Sequence, residues 1–190
     1  IDPEHFESTY LLGTLLFQMN KFKKAKKMLE KSIQLNPNKV DAYNNLGITL
    51  QKLGEFQESI KCFQKAIKIK SDYEYAYNNL GNTLKELKRF NEAIDYYQKA
   101  IKIKSDFIDA HKNLMQMLET MNRDEELKDA ILKSHTLIGG NPIVALYEGI
   151  LLCKKEKFIE AKNCLESISF NNKEINKEIL RVSNLAKCYD

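Results

Sequence analysis

The sequence predicts an all-α protein built by stacking one helix pair on the next. Three observations carry this reading. First, Tyr43-Asn44-Asn45-Leu46-Gly47 returns 34 residues later as Tyr77-Asn78-Asn79-Leu80-Gly81, and in weaker form as His111-Lys112-Asn113-Leu114-Met115. Self-similarity at such a period marks units that bury their apolar faces on their neighbours. Second, the apolar residues inside the repeat keep helical spacing: Tyr77, Leu80, Gly81 and Leu84 fall at i, i+3, i+4 and i+7. Third, side-chain size also repeats. With Gly13, Gly47, Gly81 and Gly149 as anchors, Leu16, Leu50, Leu84 and Leu152 follow each by three residues. Small residues (Ala25, Ser59, Ala93, Ala161) follow by twelve, and large ones (Leu29, Phe63, Tyr97, Leu165) by sixteen.

The units run over about 6–39, 40–73, 74–107, 108–141 and 142–175, and 176–190 reads as a partial sixth repeat or a capping helix. Each full unit is two helices joined by a short turn, such as Gly54-Glu55-Phe56 or Lys88-Arg89-Phe90. Gly81 and Ala93 are small enough to let the two helices of the third unit approach, with Tyr77, Leu84 and Tyr97 filling the flanks. Ser71 and Glu74 have the spacing of a capping box. Asn36-Pro37 and Gly139-Gly140-Asn141-Pro142 mark helix stops and restarts.

The fourth unit departs from the pattern. Met115 and Leu127 occupy its two small slots, and Asp124 stands where Phe22, Phe56, Phe90 and Phe158 stand in the other units. Two bulky residues there predict a wider or re-registered helix pair, either as a functional irregularity or as a degenerate repeat. At the ends, Ile1-Asp2-Pro3 matches Leu35-Asn36-Pro37, and Val182, Leu185, Ala186 and Tyr189 form the stripe of a sixth first helix. The expectation is an excerpt of a longer protein.

These features resemble the tetratricopeptide repeat (TPR) family, most specifically over Val40 to Phe107. The resemblance implies a right-handed superhelix of antiparallel helix pairs whose first helices line a concave groove. In flavour the chain is similar to the repeat arrays of peptide O-GlcNAc transferases, where an asparagine ladder grips substrate polypeptides. That similarity assigns a ladder role to Asn45, Asn79 and Asn113.

At about 100° per residue, the face of each first helix opposite its packing stripe is also readable. It carries Asn44 and Asn45 in the second unit, Tyr75, Asn78, Asn79 and Asn82 in the third, and Lys112, Asn113 and Gln116 in the fourth. Carboxamides both donate and accept, which suits a peptide backbone, although asparagine there is equally a solvated residue of a regular repeat. The carboxylate clamp of chaperone-binding TPR domains does not fit, because Ile143 and Tyr147 fall where its cations belong.

The function expected is therefore a non-catalytic protein-interaction scaffold holding an extended peptide or a partner helix. The alternative is the substrate-recruiting arm of a larger enzyme: a glycosyltransferase, a sulfotransferase or a 2-oxoglutarate oxygenase. A net charge of +4 from 30 Lys and Arg against 26 Asp and Glu falls short of the basic stripe of a nucleic-acid binder. Lys21, Lys23, Lys24, Lys26 and Lys27 form the densest basic run and read as a solvated outer face. His111 replaces a packing tyrosine and reads as a core or half-buried residue. Cys62, Cys153, Cys164 and Cys188 have no metal-ligand spacing, so neither a metal nor a cofactor is expected. The scattered thiols point to a reduced, cytoplasmic setting. No stretch suits a membrane span, and self-association through the ends stays open.

Overall fold

The structure is a computed structural model that describes residues 3–166 and 180. The sixth-helix stripe at Val182, Leu185, Ala186 and Tyr189 lies outside the described residues. Among the described residues ten helices follow one another in order: α1 (Pro3–Gln18), α2 (Phe22–Leu35), α3 (Val40–Lys52), α4 (Phe56–Ile69), α5 (Glu74–Glu86), α6 (Phe90–Ile103), α7 (Ile108–Thr120), α8 (Asp124–Ile138), α9 (Pro142–Lys154) and α10 (Phe158–Glu166). No strand occurs among the described residues. The chain divides into two compact units, residues 1–104 and 105–190.

In the first unit the pairs α1–α2, α3–α4 and α5–α6 pack within themselves, and each second helix packs on the next first helix. The repeat glycines make the close approach within each pair. A Cβ on Gly47 would stand 2.6 Å from the Phe63 ring, and one on Gly81 would stand 2.6 Å from the Tyr97 ring. Phe63 and Tyr97 are fully buried, as are Ala93 and Ala66. Tyr97 therefore lies over Gly81 rather than on its flank, which corrects the sequence-based picture. The glycine is a slot for the sixteenth residue's ring as well as for the small residue at position twelve. Where that residue is Ser59, its hydroxyl donates to the Gly47 carbonyl at 2.9 Å. Burial alone would leave this hydroxyl without a partner, and the short reach to the anchor glycine supplies one.

The turn inside each pair uses one left-handed residue: Asn20 (φ 58°), Gly54 (φ 76°), Lys88 (φ 59°), Asn122 (φ 54°) and Glu156 (φ 58°). These are one repeat position, and it is glycine only once. A lysine held there carries the cost of a left-handed L-residue, about 1–2 kcal/mol, which glycine avoids while losing more chain entropy on folding. Lys88→Gly is expected to stabilise the protein by about 0.5–1 kcal/mol, read as an upward shift of the urea midpoint with an unchanged m-value.

The expected capping box at Ser71 and Glu74 does not form. The N-cap residue of α5 is Tyr73, and it makes no side-chain cap bond. Glu74 is already the first helical residue, so Ser71 lies too far upstream to reach the orphan N–H groups. Its carbonyl accepts the Tyr77 hydroxyl at 3.1 Å instead.

In the second unit, Met115 and Leu127 are both fully buried. α7 and α8 approach over much less of their length than the helix pairs of the first unit. Bulk at both small slots accounts for this, because it holds the two backbones apart where the other pairs come closest. The regular contact returns in α9–α10, where a Cβ on Gly149 would meet Leu165 at 2.8 Å. Between α8 and α9 the chain turns through Gly139 at φ 59°. The Asn141 side chain then caps α9 by accepting the Ile143 N–H at 3.0 Å, with Pro142 in the first turn.

Candidate peptide-binding face

The asparagines of the repeated motif fall into two classes. Asn44 and Asn78, the first of each pair, are only 7% and 5% exposed. This differs from the open placement expected of them, and the reason is stacking. A first helix in an array has neighbours on both sides as well as its own partner helix, so its exposed arc is narrower than a 100° wheel suggests. Asn45 and Asn79, the second of each pair, are half-buried.

Their carboxamides are tied into the first unit. Asn45 Nδ2 donates to the Tyr10 hydroxyl at 3.0 Å and lies 3.4 Å from Thr14 Oγ1, both on α1. Asn79 Nδ2 donates to Asn44 Oδ1 at 2.9 Å, which links α5 to α3. Asn44 Nδ2 in turn reaches Asn45 Oδ1 at 3.5 Å. A chain of amides thus runs along the first helices α1, α3 and α5. Asn45 and Asn79 each donate to the preceding first helix, Asn44 donates within α3, and the Asn79 oxygen is left to accept.

Other polar groups in this layer escaped the sequence reading. Thr49 and Thr83 share a repeat position and back-bond to Asn45 O at 2.7 Å and Asn79 O at 3.0 Å. Gln51 Nε2 bridges to Thr83 Oγ1 at 2.6 Å and to Asn79 O at 3.1 Å. The recurrence of Thr49 as Thr83, 34 residues on, was a usable signal. Asn82 turns toward the second helix, where its oxygen accepts the Tyr97 hydroxyl at 2.9 Å. Tyr75 is 44% exposed and its ring meets that of Tyr73 at 5.7 Å. In the second unit Lys112 and Asn113 are half-buried and Gln116 is exposed on α7.

Also in the second unit, His111 is 2% exposed and satisfied at both nitrogens, by Ser134 Oγ at 2.7 Å and Ser105 O at 2.8 Å. Ile143 and Tyr147, which stand where a carboxylate clamp needs cations, are buried. No cluster of His, Cys, Asp and Glu able to hold a metal occurs among the described residues. No described helix is long and apolar enough to cross a membrane.

Burial pushes the Cys62 thiol up to about 12, with Glu58 adding to the shift, and pushes Cys164 up to about 11 with Glu148 nearby. Burial likewise raises the Tyr97 phenol, and burial with the bond to Asp41 raises Tyr73. All four are acids whose neutral form the fold favours. Between the unfolded values of 9.0 and 10.0 and the raised folded values, the unfolded chain therefore binds fewer protons than the native one. Stability is expected to be independent of these groups below pH 9 and to fall as pH rises above it. Urea titrations at several alkaline pH values would show the midpoint dropping, and a midpoint constant to pH 11 would contradict the burial of these groups.

Comparison with known proteins agrees with the architecture. The tetratricopeptide-repeat family model matches residues 38–106, and the model of anaphase-promoting complex, cyclosome, subunit 3 matches residues 1–66. No curated relative matches the chain. Among solved structures, pilF of Pseudomonas aeruginosa is similar at 23% identity and a TM-score of 0.76, covering 98% of this chain and 89% of that one. YrrB, described as a TPR protein with an unusual peptide-binding site, is similar at 17% identity and TM-score 0.65, covering 95% and 89%. The first TPR of Spaghetti (RPAP3), bound to the HSP90 peptide SRMEEVD, is similar at 17% identity and TM-score 0.61, covering 64% and 97%. At these identities the likeness concerns the fold. Helix pairs at a 34-residue period, glycine slots filled by the sixteenth residue and these matches show an all-α helical-repeat solenoid of the tetratricopeptide kind, with the family model itself matched over residues 38–106.

Proposed function

We propose that the chain is a protein-interaction scaffold without catalytic activity of its own, and that the first-helix layer holds an extended peptide. Asn45 and Asn79 are the central contacts in the first unit, with Tyr75 beside them. Asn113, with Lys112 and Gln116, continues the same repeat position in the second unit. The observation that carries this reading is the amide chain itself. Asn45 and Asn79 donate their amide protons to neighbouring helices, which fixes their rotamers before any ligand arrives. A peptide N–H then meets a pre-set acceptor, with little side-chain entropy left to lose on binding. Two similar folds are described as peptide-bound or peptide-binding, which is consistent with this use.

Each backbone bond adds about 0.5–1.5 kcal/mol, so affinity accumulates over several rungs and sequence demands stay loose. The test is selection of binders from a random peptide library, followed by titration against a variant carrying Asn45→Ala, Asn79→Ala and Asn113→Ala. Selected peptides should lose roughly tenfold or more in affinity, as expected when several bonds of this size are removed. Equal binding by the folded triple variant would remove the ladder from the reading.

A substrate-recruiting role for a larger enzyme is compatible with the same face. In that reading the peptide is a substrate and the chemistry belongs to another domain.

A further inference from the structure

The turn between α1 and α2 is charged unlike every equivalent turn in the chain. Eight and eleven residues after the repeat anchor, the other described units carry Glu55 and Glu58, Arg89 and Glu92, Arg123 and Glu126, and Lys157 and Glu160. In three of these the pair is an ion pair: Arg89–Glu92 at 2.6 Å, Arg123–Glu126 at 2.5 Å and Lys157–Glu160 at 3.1 Å. Glu58 pairs with Lys61 at 2.7 Å. The first unit has Lys21 and Lys24 at these positions, with Lys23 between them, and α2 has no acid in its first turn.

Lys21, Lys23 and Lys24 are exposed, and none of them makes an ion pair among the described residues; the salt bridge nearest them is that of Lys26 with Glu55. The neighbouring carboxylate, Glu55, is already held by Lys26 at 2.5 Å.

These three lysines do not surround plain solvent. With Asn20, Phe22 and Leu53 they line an open cavity of about 420 Å³. Phe22, whose ring packs on Phe17 at 5.5 Å, and Leu53, from the end of α3, are the apolar residues in its lining. A cavity of this size lies within the range of ordinary ligand clefts and has room for a large apolar side chain together with its flanking residues. An apolar floor ringed by unpaired cations fits an apolar residue flanked by carboxylates. A bare anion would leave the floor empty, and a neutral apolar group would leave the cations unused.

We infer that the cavity at the α1–α2 turn docks an acidic peptide segment of a protein partner, seating one aromatic or aliphatic side chain on Phe22 and Leu53 and its flanking carboxylates on Lys21, Lys23 and Lys24. This site is distinct from the amide chain of the first-helix layer and does not depend on it. It gives the scaffold a second point of attachment, specified by charge.

The test is fluorescence anisotropy with a labelled short peptide that has a central phenylalanine flanked on both sides by aspartates and glutamates. Binding is expected to weaken as salt rises. Lys24→Glu recreates with Lys21 the cation–Glu pair that three other units carry, so it should keep or raise the melting temperature while lowering affinity about tenfold or more. Lys24→Gln, which only removes the charge, should fall between the two. A peptide with serine in place of the phenylalanine should also bind about tenfold more weakly, since the apolar contact is lost.

Unchanged affinity in folded Lys24→Glu would overturn the inference. Equal binding of the serine peptide would overturn it too, by showing a mere polyanion effect. Displacement of the peptide by millimolar inorganic phosphate, or tighter binding to phosphatidylserine vesicles than to the peptide, would likewise overturn it in favour of an anion or membrane site.

Discussion

Tyr97→Ala is expected to cost about 3–5 kcal/mol of folding stability, the usual range for emptying a buried aromatic position. Tyr97 is fully buried between α5 and α6, with its ring across Gly81 and its hydroxyl on Asn82. Truncation removes the ring from a slot that no other side chain can fill, because a glycine lies beneath it and Ala93 beside it. Tyr97→Phe separates the two contributions. It keeps the ring and loses one hydrogen bond, so it should cost about 0.5–1.5 kcal/mol. Chemical denaturation of both variants decides the matter, and a Tyr97→Ala loss no larger than that of Tyr97→Phe would show that the ring is not the main contact.

Gly81→Ala is expected to destabilise by about 1–3 kcal/mol through overpacking. Two effects oppose each other at this position. In an exposed helix interior, alanine for glycine gains about 1 kcal/mol of helix propensity. Here the new Cβ would stand 2.6 Å and 2.8 Å from ring carbons of Tyr97 and 3.2 Å from the Ala93 carbonyl. The ring is enclosed on all sides and the carbonyl belongs to a helix, so neither yields cheaply, and the clash outweighs the propensity. The two predictions interlock. In the Tyr97→Ala background the severe ring clash is gone and only the milder Ala93 carbonyl contact at 3.2 Å remains, so the propensity gain should make Gly81→Ala neutral or stabilising. That change of sign, measured as a coupling of about 0.5–3 kcal/mol in a double-mutant cycle, would identify the ring–glycine contact as the origin of both effects. Additive costs would refute it.

Much of the architecture was legible because it repeats. A period of 34 residues with size-matched positions requires the same packing solution each time, and the helices begin and end close to where Gly54, Asn36-Pro37 and Asn141-Pro142 place them. The irregularity of the fourth unit was also legible, from Met115 and Leu127 in slots that need small residues. The capping box was misread because Ser71 and Glu74 match the motif by spacing, while the turn leaves Ser71 outside the helix end. The turn position that takes a left-handed backbone was hidden for another reason. Lys88 and Glu156 carry no mark of it, and only the geometry of Gly54 in the same place explains them.

The candidate site was legible by position and not by role. The recurring Asn-Asn pair drew attention to the first-helix layer, but a helical wheel treats a first helix as having one buried side. Stacking gives it two, so Asn44 and Asn78 are buried while Asn45 and Asn79 join one first helix to the one before. The charge exception at Lys21 and Lys24 was equally present in the sequence. It gained meaning only when the fold set Leu53 beside Phe22 and made a cavity between them.

By itself, then, the sequence determined what is local and periodic: helix spans, turns, the glycine slots and the unit that breaks the rule. Those follow from short-range sterics and apolar spacing, which act within one unit. The tertiary structure decided which amides bond to each other, which asparagines are covered and which lysines find no partner. These depend on what a neighbouring unit places within about 3 Å, a distance that spacing along one helix cannot specify.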